Sequence, residues 1–223
     1  MKHRPSTATI SVRGILFDCD GVLVDSLESV DRTWHRFAVE LDLDPDHVLC
    51  VHHGRPARET IAEVAPHHDP AVALQLIEDL EVDDVGSVTA LSGAADFLAV
   101  LPDGSWTVVT SATRRLAEAR LGAAGLPVPD SIVTADQVRN GKPHPEPYLM
   151  GASRLGLPAA DCVVFEDSPA GIVAGRAAGS AVVQVRADHA AAHGQGVPLI
   201  AHLGSVTVDV ATDGHLGLEL DEQ

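Results

Sequence analysis

Residues 14–19 (GILFDC) form a short apolar run that stops at acidic residues and Gly21, and beyond about Leu91 similar runs alternate with helical stretches. The first reads as a buried strand running into a loop. The later runs predict strands at 106–111 (WTVVTS), 131–135 (SIVTA), 161–167 (DCVVFED) and 180–185 (SAVVQV). Helices are predicted at 92–101, 113–125, 145–156 and 169–179. Strands alternating with helices in this way build an α/β fold, a doubly wound, Rossmann-like parallel sheet with short loops at its strand ends.

Residues 26–90 have a different texture. In LESVDRTWHRFAVELDL, RPARETIAEV and PAVALQLIEDL, apolar positions recur at three- and four-residue spacing, with breaks at Asp44-Pro45, His53-Gly54 and Pro66. Such spacing marks amphipathic helices. The expected organisation is therefore an α/β core from residues 1–25 and 91–223, interrupted by a helical insert at 26–90. The tail VTVDVATDGHLGLEL alternates around Asp213-Gly214 and is expected to form a terminal hairpin at a sheet edge.

Composition narrows the partners. The formal net charge is −17, from 32 acidic and 15 basic residues, which repels nucleic acids and anionic membranes. Neither is expected as a partner, and a phosphorylated ligand must be held by local features against that field. Aromatics are only 3% of the chain, which disfavours a binder that stacks single-stranded bases. Cys19, Cys50 and Cys162 have neither zinc nor disulfide spacing and read as free thiols of a reducing compartment. The basic N-terminus has no apolar run behind it, and no window approaches the ~18 apolar residues of a membrane span. A cytoplasmic monomer is the expectation.

In open parallel sheets, sites form beyond the carboxyl ends of the strands. Those ends carry Asp18 and Asp20, Thr110-Ser111, and Glu166-Asp167, while Lys142 lies in the loop after the run at 131–135. Asp18 and Asp20 project the same way from an extended stretch; alone they would equally suit a polar turn. An EF-hand does not fit D-C-D-G, because the Gly comes too early and the bidentate Glu is missing. Glu166-Asp167 closes a buried strand, where adjacent acids are costly unless paired or bound to metal. With Asp18 they form a hard-oxygen set suited to Mg²⁺. Ser111 stands where a strand meets a helix and reads as an anion site or as a plain N-cap. Lys142 can serve as a phosphate-binding point charge, but not as a Walker lysine.

FDCDGVLVDS resembles motif I of the haloacid-dehalogenase superfamily, VVTSAT motif II, GKPHPEPY motif III and VVFEDSPAGIVAGRAAG motif IV. The four occur in the family's order over residues 13–185, and the insert occupies the position of the family's small helical cap. The resemblance implies a Mg²⁺-dependent phosphatase acting on small phosphorylated metabolites, with Asp18 as covalent nucleophile and Asp20 as general acid and base. It implies that the Asp18 carboxylate, the Asp20 carbonyl and Asp167 ligate the metal, with Glu166 direct or through water. Ser111, the Ala112 N–H and Lys142 would hold the phosphoryl oxygens.

VHHGRPARET is similar to the substrate-facing loop of bacterial sugar and polyol phosphatases of this superfamily, which makes Arg55, with His53 and Gly54, the candidate specificity contacts. Arg114 is a further candidate, whereas Trp34 and Cys19 read as core. The rival activity is a phosphosugar mutase of the β-phosphoglucomutase type. Such mutases carry a His a few residues beyond the pair matching Asp25-Ser26, where this chain has Val30. That difference favours water as the final acceptor.

Overall fold

The computed structural model describes residues 7–52, 56–186 and 196–222. The chain begins with β1 (Thr7–Val12), β2 (Gly14–Phe17) and β3 (Val24–Asp25). Helices α1 (Leu27–Glu40), α2 (Pro45–His52), α3 (Ala57–Val64) and α4 (Pro70–Asp83) follow, then β4 (Thr89–Ala90). Next come α5 (Ala94–Val100), β5 (Trp106–Val108), α6 (Arg114–Ala123), α7 (Glu146–Arg154), β6 (Cys162–Glu166), α8 (Pro169–Ala177) and β7 (Ala181–Val185). The described chain closes with β8 (Leu199–Ile200), β9 (Val206–Val210) and β10 (Leu216–Asp221).

The main sheet is parallel, with strand order β5-β2-β6-β7-β8. All residues of β2 and β6 are buried, as expected for central strands covered on both faces. The pleat divides them: Ile15, Phe17, Val163 and Phe165 join one apolar cluster with Phe97 and Leu121, whereas Leu16 and Val164 join another with Tyr148 and Ile172. Helices α5 and α6 thus cover one face, and α7 and α8 the other. Fully burying side chains of this size contributes about 1.5–3 kcal/mol each. Phe17 lies directly beside Phe165 in the β2–β6 register, with ring centroids 5.5 Å apart. That pairing brings the next residues, Asp18 and Glu166, to the same point on the sheet's carboxyl edge.

Helices α1–α4 share a separate apolar core that includes Trp34, Phe37, Val48, Ile61 and Ile77. The chain leaves for them through β3 and returns through β4, which pair antiparallel as Val24↔Ala90 and Asp25↔Thr89. Helix α4 starts at Pro70 behind Asp69, whose carboxylate accepts from the Ala71 and Val72 N–H groups at 2.8 and 3.2 Å. Side-chain acceptance at the N-cap and proline at the first helical position are standard start signals.

Two expectations need correction. The run 131–135 makes no ladder, only a single parallel bridge, Val133↔Val109. A one-turn helix at Ala135–Gln137 follows, its Gln137 Oε1 accepting from the Thr134 N–H at 3.3 Å, and turns the chain away after that bridge. The tail forms the expected hairpin, β9–β10, and Glu222 just beyond it bridges Ile200 of β8, the edge strand of the parallel sheet. The hairpin is part of an antiparallel sheet of order β1-β10-β9. Strand β1, absent from the expectation, supplies the missing partner, and Leu216, Leu218 and Leu220 alternate inward from β10 to the main core. Among the described residues no helix is long and apolar enough to cross a membrane.

Candidate functional site

The carboxyl edge of β2 and β6 carries a buried ion cluster. Lys142 Nζ lies 2.9 Å from Asp18 Oδ1 and 2.7 Å from Glu166 Oε1, with Lys142 only 9% exposed. Its ammonium also stands 5.0 Å from the centre of the Tyr148 ring. Glu166 is fully buried, and both its oxygens accept from the protein. Oε1 takes Lys142 and the Tyr148 hydroxyl (2.9 Å); Oε2 takes the Ser168 N–H and hydroxyl at 2.8 and 3.0 Å.

Gly171 makes this possible. A Cβ there would lie 1.5 Å from Glu166 Oε1, so this position in the first turn of α8 must carry no side chain. Gly21 plays the same part for Asp167, whose Oδ2 would lie 2.1 Å from a Cβ at that position, and its φ of +76° suits glycine.

Asp18, Glu166 and Asp167 each offer a carboxylate oxygen, all within 4.8 Å of one another. Burial, then repulsion from Glu166, raises the Asp18 carboxyl from 3.8 to about 7, although Lys142 opposes the rise. Burial, then repulsion from Glu166 and Asp18, pushes Asp167 well above the usual carboxylate range. Burial would also raise Glu166, but Lys142, Ser168 and Tyr148 outweigh it and hold that carboxyl below its ordinary value. One lysine thus satisfies one acid fully and leaves the other two short of positive charge. That donor set fits a hard divalent cation, with Asp18 and Asp167 as the carboxylates whose oxygens are least committed.

Beside this cluster opens a cavity of about 630 Å³, lined by Asp20, Ser111, Ala112 and Asp167 from the strand ends and by Val30, Trp34 and His52 from α1 and α2. Asp20 is held at both oxygens: Oδ1 accepts from the Ser26 hydroxyl at 2.6 Å and Oδ2 from Arg120 at 3.0 Å. Ser111 is exposed and does not cap α6; that cap is Thr113, whose hydroxyl accepts from the Leu116 N–H at 3.3 Å. The Ala112 N–H, expected to be available to phosphate, instead donates to Thr110 Oγ1 at 3.0 Å. An anion there would share that donor with Thr110.

The strand-end residues therefore converge, whereas others do not. Arg114 pairs with Glu118 at 2.8 Å and does not line the cavity. Cys19 faces the apolar core, and its thiol is pushed well up by burial and then by Asp20 and Asp18. His53, Gly54 and Arg55 lie outside the described residues. The neighbouring His52 lines the cavity, its ring stacked on Trp34 at 5.6 Å and its Nε2 3.1 Å from Asp31 Oδ1. Trp34 is thus both a core residue and part of the wall.

Sequence reasoning missed Arg120, Glu81 and Tyr148. Arg120 and Glu81 sit on amphipathic helices where a charged residue reads as solvated. Tyr148 had one signal: it is the only tyrosine in the chain, directly after the last of the three prolines that follow Lys142.

The family model for haloacid dehalogenase-like hydrolases matches residues 12–179. Among curated proteins, hexitol phosphatase A of Escherichia coli (strain K12) is 39% identical over 208 residues, covering 91% of this chain and 96% of the relative. Glycerol-1-phosphate phosphohydrolase 2 of Saccharomyces cerevisiae is 34% identical over 189 residues, with 79% and 76% covered. Among solved structures, a hydrolase from Pseudomonas syringae superposes with a TM-score of 0.73 at 21% identity, over 85% of this chain and 93% of that one. That last likeness concerns the fold alone.

Proposed function

Since this chain belongs to the haloacid dehalogenase-like hydrolase family and is a phosphatase, we propose that it hydrolyses monophosphate esters of small sugars or polyols through a phosphoryl group carried on Asp18. The observation that carries this reading is the cluster itself: Asp18 beside Lys142, Glu166 and Asp167, next to a cavity that Asp167 and Asp20 line. The names of the relatives, a hexitol phosphatase and a glycerol-1-phosphate phosphohydrolase, support polyol phosphates as the substrate class.

In the proposed reaction the Asp18 carboxylate attacks phosphorus and the ester oxygen leaves, taking a proton from Asp20. Water then attacks the phosphoryl-Asp18, giving its proton back to Asp20 and freeing the carboxylate. A positioned acid and base of this kind contributes about 10²–10⁴ in rate. Lys142 orients Asp18 and offers positive charge to the phosphoryl oxygens; the Ser111 hydroxyl, with the Ala112 N–H shared with Thr110, offers hydrogen bonds. Mg²⁺ would be held by Asp18, Asp167 and the Asp20 carbonyl, with Glu166 reaching it through water, and would neutralise charge between the nucleophile and phosphate. We assign residues 26–90 the role of a cap over this site. Val30 lines the cavity and has no basic group with which to activate a second sugar hydroxyl, which supports water as acceptor.

The test is phosphate release from a panel of hexitol, glycerol and hexose phosphates in the presence of Mg²⁺, with β-glucose 1-phosphate included. Hydrolysis that disappears in Asp18→Asn is expected. Conversion of β-glucose 1-phosphate to the 6-phosphate without free phosphate would overturn the choice of water as acceptor.

A further inference from the structure

Arg120 is an internal cation that the reaction scheme above does not use. It sits on α6 at 5% exposure and sends its terminal nitrogens in two directions. One donates to Asp20 Oδ2 at 3.0 Å and the other to Glu81 Oε1, on α4, at 3.1 Å. Its Nε is buried with no acceptor, so these two contacts carry all its hydrogen bonding. Glu81 is nearly enclosed as well, with a side chain 14% exposed. A buried ion cluster is a poor way to gain stability, because desolvation offsets most of the attraction. What such a cluster does supply is a fixed geometry.

The geometry fixed here is that of Asp20. Ser26 holds one oxygen and Arg120 the other, so the carboxylate has no rotational freedom while both donors stay in place. Arg120 is in turn held from the inserted helices. Helix α4 is fastened to α6 at two further points: the Thr113 hydroxyl donates to Glu78 Oε1 at 2.6 Å, and Arg115 pairs with Asp79. Glu81 is the member of this row that turns inward to the cavity, where it meets Arg120.

We propose that Arg120 is a positioning residue for Asp20, anchored on α4 through Glu81, so that docking of the inserted helices on α6 sets the aim of the proton-transferring carboxylate. This rests on the reading of Asp20 as the acid and base of a phosphatase. A misaimed Asp20 matters when the departing oxygen needs a proton, and matters little when the departing group is stable as an anion.

A series of aryl phosphates running from 4-nitrophenyl to unsubstituted phenyl isolates that dependence, because ring size and shape vary little. The readout is kcat/KM, which reports the first phosphoryl transfer. In Arg120→Leu we expect a loss of about 10-fold to 100-fold for phenyl phosphate but under about threefold for 4-nitrophenyl phosphate, a fraction of the full acid contribution. Glu81→Gln should show the same steepening to a smaller extent, and Arg120→Lys, which keeps charge but not the two-armed reach, should fall between. If Arg120→Leu does not fold, as judged by thermal unfolding, these two variants decide on the same criterion.

Asp20→Asn is the reference. If it steepens the series while the Arg120 and Glu81 variants lose activity equally across it, or lose none, the positioning role is overturned and the phosphatase reading stands. If the wild-type protein releases no phosphate, or Asp20→Asn leaves the series unchanged, the reading of Asp20 fails and the proposal fails with it.

Discussion

Replacing Asp18 by Asn should abolish turnover and yet stabilise the metal-free protein. The Asp18 side chain is 12% exposed, and burial followed by repulsion from Glu166 raises its carboxyl from 3.8 to about 7, Lys142 notwithstanding. The folded protein therefore binds this proton more tightly than the unfolded chain does. Ionisation of Asp18 works against folding: the penalty is absent below the unfolded value, grows through the interval, and is complete above the folded one. A rise of that size corresponds to about 4 kcal/mol, and relaxation around the site reduces the usable part to about 2 kcal/mol.

Asparagine keeps the shape without the charge, and Lys142 retains Glu166 as its partner. For a chain of this length, ~2 kcal/mol moves the melting temperature by about 4–8 °C. Thermal unfolding in chelator should show Asn above wild type by that amount near pH 8, with the gap closing as pH falls toward about 4. An Asn variant that melts below wild type at high pH, or a gap that does not change with pH, would refute the electrostatic account of the cluster.

The same reasoning predicts that Mg²⁺ raises the melting temperature of the wild-type protein more at about pH 8 than at about pH 5, where protons compete for Asp18 and Asp167; equal gains at both would contradict it. Gly171→Ala should lose most activity and about 2–4 kcal/mol of stability, because its Cβ would occupy the place of Glu166 Oε1. Denaturant unfolding checks this against Gly122→Ala on α6, where a Cβ meets nothing within 4 Å and helix propensity predicts a gain of about 0.5–1 kcal/mol.

The contacts that sequence could reveal are those fixed by strand order. Asp18, Glu166 and Asp167 follow short apolar runs, and a parallel sheet brings the ends of such runs to one edge regardless of the side chains between them. Lys142 could be placed near that edge because its loop follows a strand-like run, although the run itself forms only the Val133 bridge. Contacts made by helix faces were not legible. Arg120 and Glu81 are 39 residues apart and meet only because α4 docks on α6, a packing choice that their own periodicity does not encode. The donation of the Ala112 N–H to Thr110 depends on one hydroxyl rotamer, and strand β1 depends on a partner two hundred residues away. Neither leaves a local signature.

The central claim is that Asp18 carries the phosphoryl group. Rapid acid quench of the enzyme during turnover of a polyol phosphate with Mg²⁺, followed by peptide mass spectrometry, reads this directly. The account predicts one added phosphoryl group on the peptide containing Asp18, assigned to that residue by fragmentation and absent from Asp18→Asn. A phosphoryl group found on another side chain, or turnover that persists in Asp18→Asn, would contradict it.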